Sequence, residues 1–156
     1  MKITLLLVGK TDNKLYAEGI EDYVNRINHY TSFDIKVISD LKNTKNLTEN
    51  QQKEKEGELI LKNIENNSVV VLLDEHGKEF RSVEFANWLE NKQQTIKQLT
   101  FVIGGPYGFS KSVYERANEK ISLSKMTFSH QMVRLLFTEQ IYRACTIIRN
   151  EHYHHE

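Results

Sequence analysis

Five short apolar runs punctuate the chain, and between them apolar residues recur at three- and four-residue spacing. The first run, Lys2–Val8 (KITLLLV), has no polar alternation and ends at Gly9, which predicts a strand covered on both faces, as in a parallel sheet. Thr11 is placed to cap a helix running to about Tyr30, with Leu15, Ile20, Tyr23, Val24, Ile27 and Tyr30 at helical spacing. Phe33–Ile38 (FDIKVI) alternates cleanly and predicts a strand nearer an edge.

After the polar loop Asp40–Leu47, Thr48-Glu49-Asn50-Gln51 has the capping-box pattern. The helix it opens, to about Ile64, lacks apolar residues until Leu59, so its first half is expected in solvent. Ser68–Leu73 (SVVVLL) is the strongest strand, ending at Asp74-Glu75-His76-Gly77. Ser82 is the expected cap of a helix to about Thr95 that buries Phe85, Trp88 and Leu89. Leu99–Ile103 is the fourth strand, Ser110 caps a helix carrying Val113, Tyr114 and Ala117, and Lys120–Leu123 is the fifth strand. The last helix is expected from about Ser129 to Arg149.

Strands alternating with helices predict an α/β fold, a mostly parallel sheet with helices on both faces, in one domain spanning 1–156. Ligands of such sheets bind beyond the carboxyl ends of the strands, where the loops at Asp74, Gly104 and Ser124 all lie.

Composition narrows the class. The 21 Lys and Arg balance 21 Asp and Glu, which argues against a protein that grips nucleic acid through bulk charge. The last third is slightly basic and holds four of the six histidines, consistent with a solvated surface or a local basic rim. One cysteine, Cys145, precludes an internal disulfide and suits a reducing compartment. The first residues lack a signal-peptide pattern, and no apolar run approaches the ~20 residues that span a bilayer. A cytoplasmic protein with no membrane association is expected.

Two loops carry candidate chemistry. Gly104-Gly105-Pro106-Tyr107-Gly108 follows a buried strand. Its spacing is not the dinucleotide fingerprint, and Ser110 stands where a P-loop needs its second glycine. It reads either as a tight connection or as backbone approaching a ligand. Ser122–His130 mixes hydroxyls with Lys125, Met126, Phe128 and His130; its apolar members are either core or the floor of an adenine site. The last helix is apolar around more than one face, so a second buried side, plausibly another subunit, is expected. Arg134 and Arg143 within it read as surface arginines extending past apolar neighbours, or as functional cations. Three histidines in the tail His152-Tyr153-His154-His155-Glu156 are not completed into a metal site by any Cys, His or carboxylate pattern, and no metal is expected.

MKITLLLVGK, FVIGGPYG, LSKMTFSHQMVRLLFTEQIYRA and the closing Tyr-His together resemble SPOUT-type methyltransferases that modify N3 of a pseudouridine in 23S ribosomal RNA. The resemblance runs end to end. It implies a C-terminal trefoil knot, a homodimer paired through the knotted region, and S-adenosyl-L-methionine bound in a bent shape. By position it implies cofactor contacts at Leu73, Gly104, Leu123, Ser124, Lys125, Met126, Thr127 and Phe128. It also implies roles near the reaction for His130, Arg143, Tyr153 and His154, with the tail reaching a partner's cofactor, and a substrate within the assembled ribosome. Such chemistry needs alignment of an activated methyl and help in removing the N3 proton, and no metal. The alternative from another class is a non-catalytic nucleotide- or RNA-binding module on the same fold.

Overall fold

The computed structural model describes residues 1–156. The elements in chain order are β1 (Lys2–Val8), α1 (Lys14–Ile27), β2 (Ser32–Ile38), α2 (Glu49–Lys62), β3 (Val69–Glu79), α3 (Ser82–Thr95), β4 (Gln98–Ile103), α4 (Lys111–Arg116), β5 (Glu119–Ser122) and α5 (Met132–Ile148). The strands form one sheet in the order β2-β1-β4-β3-β5, and every neighbouring pair is parallel. The expected α/β architecture and the edge position of β2 are therefore found.

β1 shows why its sequence lacks polar alternation. Ile3, Leu5 and Leu7 enter the core layer beneath α1, α3 and α5, while Leu6 and Val8 enter the layer shared with α2 and α4. Phe101 and Phe137, both fully buried, meet edge to face at 4.9 Å and tie α5 to the sheet centre.

Several boundaries differ from the sequence reading, each for a local reason. Asn13, not Thr11, caps α1, its side chain accepting from the Tyr16 amide. Leu15 precedes the buried stripe and is exposed. α3 is capped by Arg81 rather than Ser82, with Glu84 reaching back to the Arg81 amide at 2.7 Å. α5 begins at Met132; Ser129 holds the preceding turn by accepting from the Gln131 and Met132 amides. The capping box at Thr48 and Gln51 and the Ser110 cap are as expected.

The largest correction concerns β3, which does not end at Leu73. Ile121 of β5 is paired with Leu73 and again with Lys78, so residues 74–77 bulge out and the strand resumes. Their polar composition reads as a turn; the return is fixed by pairing with a strand far along the chain. A Cβ at Gly77 would lie 2.6 Å from the main chain of Ile121, so only glycine permits this approach.

Candidate functional site

The bulge of β3 and the carboxyl ends of β4 and β5 open onto a cavity of about 750 Å³. Seven of the eight residues expected at a cofactor line it: Leu73, Gly104, Leu123, Ser124, Met126, Thr127 and Phe128. The side chain of Lys125 points away from the wall they form, out in solvent. His130 lines the cavity from the turn before α5. A volume within the ~300–1,000 Å³ range of small-molecule sites, with walls that mix apolar side chains with hydroxyls, charged groups and main chain, suits an adenosine-sized ligand.

Each wall is held locally. Ser122 Oγ donates to the Ser124 carbonyl at 2.8 Å, and Ser124 Oγ accepts from the Met126 amide at 3.0 Å, so the loop after β5 is braced by its own serines. Met126 is left exposed at the mouth. The glycine loop packs on itself: a Cβ at Gly104 would lie 2.9 Å from the Phe109 ring. Gly108, at φ 80°, closes the turn by donating to the Gly105 carbonyl. At the rim, the Tyr114 hydroxyl donates to Asp74; burial, with that carboxylate second, pushes the phenol up to about 12.

α5 begins by latching onto the loop after β1. Gln131 accepts from the Asp12 amide at 2.9 Å and donates to the Lys10 carbonyl at 3.3 Å. Arg134 is not the surface arginine that the sequence suggests. It is fully buried and donates to the carbonyls of Val8 at 2.6 Å and Gly9 at 2.8 Å, and to Thr11 Oγ1 at 3.1 Å. Burial lowers its pKa, while Asp40 and Asp12 act in the opposite direction.

Arg143, Tyr153 and His154 do not reach this cavity. The chain leaves α5 through Asn150 in the left-handed region (φ 57°), with Glu151 donating to the Thr146 carbonyl and Asn150 to that of Ile147. This stop folds the tail back along its own helix. Tyr153 packs edge to face on Tyr142 at 4.8 Å and donates to Glu139 at 2.9 Å. Arg143 donates to Glu139 at 2.6 Å and to His154 Nδ1 at 3.1 Å, its guanidinium 4.9 Å from the Tyr153 ring centre. Arginine only donates, so His154 Nδ1 accepts and its proton sits on Nε2, which is buried without a partner. Burial above all raises the pKa of the Tyr153 phenol, with Tyr23 and Glu139 adding to it. His130 precedes α5 and lines the cavity, whereas Arg143, about three helical turns further along, does not.

Glu56 escaped the sequence reading. The first half of α2, residues 49–55, holds no buried residue, as expected; Glu56, at the start of the second half, is 6% exposed and accepts from the Gly105 amide at 2.9 Å. The available signal was Gly57, because a glycine inside a helix costs about 1 kcal/mol against alanine and marks close packing.

The sequence profile of the family described as "Predicted SPOUT methyltransferase" matches residues 1–154, and the chain belongs to that family. It is 66% identical over 157 residues to ribosomal RNA large subunit methyltransferase H of Phocaeicola vulgatus, covering all of both chains. It is similarly 62% identical to the protein of that name from Bacteroides fragilis and 56% identical to that from Flavobacterium johnsoniae, again over full lengths. A solved structure titled as a "probable methylase family protein" from Haemophilus influenzae Rd KW20 shares the fold, with TM-score 0.53 and 14% identity over 99% of this chain and 70% of that one.

Proposed function

We propose that this protein is an S-adenosyl-L-methionine-dependent methyltransferase acting on N3 of a pseudouridine in 23S ribosomal RNA of the assembled ribosome. The observation that carries the reading is the convergence of seven of the residues expected at the cofactor, and of His130, on one cavity. The names of the full-length relatives support the substrate.

The bound cofactor supplies a methyl group already activated by a sulfonium centre. Leu73, Gly104 and the loop from Leu123 to Phe128 hold it through apolar contact and main-chain groups, with Lys125 contributing main chain. The work left to the chain is to exclude water, orient the base and manage the N3 proton. His130 at the cavity rim accepts that proton. Arg143, oriented by Glu139 and backed by Tyr153 and His154, stabilises the charge that develops on the base.

Two protomers are needed for this division of labour. His130 lines the cavity and Arg143, about three turns along α5, does not, so one protomer does not bring both to one base. The protein therefore works as a homodimer in which one protomer's tail completes its partner's site. Met132 and Leu136, 38% and 37% exposed at i and i+4 on α5, support an apolar pairing face there. In the same reading, passage of the β5–α5 segment past the returning end of β3 belongs to a C-terminal trefoil knot.

The test is transfer of labelled methyl to 70S ribosomes from a strain that lacks the modification, using mixed dimers. His130→Ala and Arg143→Ala homodimers are each expected to lose about 100-fold or more. Mixing them restores activity if the groups act across the interface, because one of the two sites then holds both. Absence of transfer by the wild type overturns the enzymatic reading; absence of recovery overturns the shared site.

A further inference from the structure

Glu56 stands on α2, which lends the cavity wall Lys53; Glu56 itself is not among the lining residues and meets the cavity only through its contact with Gly105. It is the one nearly buried carboxylate of the chain, at 6% exposure. No ion pair compensates it; its one hydrogen bond is the 2.9 Å contact from the Gly105 amide. Burial, with Asp40 as a smaller like-charge contribution, raises its pKa, so holding it there works against the charged form. Fold stability does not require this arrangement. Gly105 is only half-buried, and water could satisfy its amide without a carboxylate being taken out of solvent.

The neighbouring contacts show what the placement achieves. A Cβ at Gly57 would lie 2.3 Å from Ser110 Oγ, so α2 rests directly on the residue that caps α4. A Cβ at Gly105 would lie 2.6 Å from Glu56 Oε2. The pair Glu56-Gly57 thus grips the glycine loop near both ends, at Gly105 and at Ser110. Gly104, between the strand and this grip, faces the cavity. We propose that Glu56 is a positioning residue: by fixing the Gly105 amide it sets the conformation in which the Gly104-Gly105 main chain meets the methyl donor. This rests on the methyltransferase reading above and assigns a residue outside the cofactor contacts implied by family resemblance.

The experiment measures S-adenosyl-L-methionine affinity by calorimetry, and donor KM and kcat on ribosomes, for four variants of the full-length protein. Glu56→Ala is expected to weaken donor binding and raise donor KM about tenfold, with kcat at saturating donor within about threefold. Glu56→Gln keeps an acceptor oxygen and should bind within about threefold of the wild type. Gly105→Ala places a methyl against the carboxylate and should also weaken binding about tenfold. The double variant Glu56→Ala/Gly105→Ala should bind no worse than Glu56→Ala alone, because the methyl then has room. Leu89→Ala, at a fully buried α3 position in the other core layer, controls for stability: it lowers the melting temperature and leaves donor affinity unchanged.

Wild-type donor affinity in Glu56→Ala overturns the inference, as do losses that multiply in the double variant. If Glu56→Ala fails to fold, the Glu56→Gln and Gly105→Ala pair decides it: both unchanged overturns it, and Gln retained with Ala impaired supports it. Absence of donor binding by the wild type is a different result, and falls on the proposed function.

Discussion

The two ends of α5 carry one arginine each, and they do opposite things. Arg134 near the first turn has no exposed surface and points its two terminal nitrogens at the Val8 and Gly9 carbonyls and the Thr11 hydroxyl, its Nε left unpartnered. Arg143 near the last turn stays partly exposed, paired with the Glu139 carboxylate and braced by tail residues. A buried cation on main-chain acceptors is a structural rivet. One that keeps solvent access, a carboxylate to orient it and an aromatic ring beneath it is prepared to meet a second anion.

Separating the two measurably is the largest expected effect. Arg134→Met should cost about 3–5 kcal/mol, since the Val8 and Gly9 carbonyls lose charge-assisted partners inside the core. At about 2–4 °C per kcal/mol, the melting temperature falls by about 6–20 °C. Arg143→Ala should cost about 1–3 kcal/mol by denaturant titration, because the part-buried Glu139 carboxylate loses its charged partner, yet lower methylation about 100-fold or more. Equal losses of stability at both positions would erase the distinction.

Sequence alone could not assign these roles. An arginine in an apolar helix has the same pattern whether it extends to water or turns inward. What buries Arg134 is the loop after β1, more than 120 positions earlier in the chain. The legible features are those whose cause is local: the uninterrupted apolar run of β1, the Thr48 capping box, the Ser110 cap and the loops at the strand ends. The resumption of β3 after Gly77 and the burial of Glu56 both depend on distant partners, Ile121 and Gly105, and left only a glycine as a trace. Arg143, Tyr153 and His154 were gathered by resemblance, and the left-handed turn at Asn150 brings them into contact with one another.

The inward face of the same C-terminal half offers a pH test. Burial pushes the Cys145 thiol well above the ordinary thiol range, up to about 12. Its contribution to stability is fully present below pH 9 and is lost as pH climbs from 9 towards 12, because only the unfolded chain releases the proton readily. Tyr30 and Tyr114, both pushed up to about 12, act with the same sign. Thermal melts should therefore be flat from pH 7 to 9 and fall above it, and Cys145→Ala should fall less steeply. Iodoacetamide at pH 8 should leave the folded thiol intact and label it in urea.

The smallest effect concerns the stop that joins the two behaviours. Asn150 holds a positive φ that alanine adopts at a cost of about 1 kcal/mol, so Asn150→Ala should lower stability by roughly that amount. Asn150→Gly should not. If the tail serves the partner's site because this turn aims it, Asn150→Ala should also reduce methylation beyond what its few degrees of melting temperature explain, while Asn150→Gly stays near wild type. A loss in methylation that follows stability alone, matched by a core variant of equal melting temperature, would mean that the turn merely ends the helix, and that Arg143 is positioned from Glu139 without help from the tail.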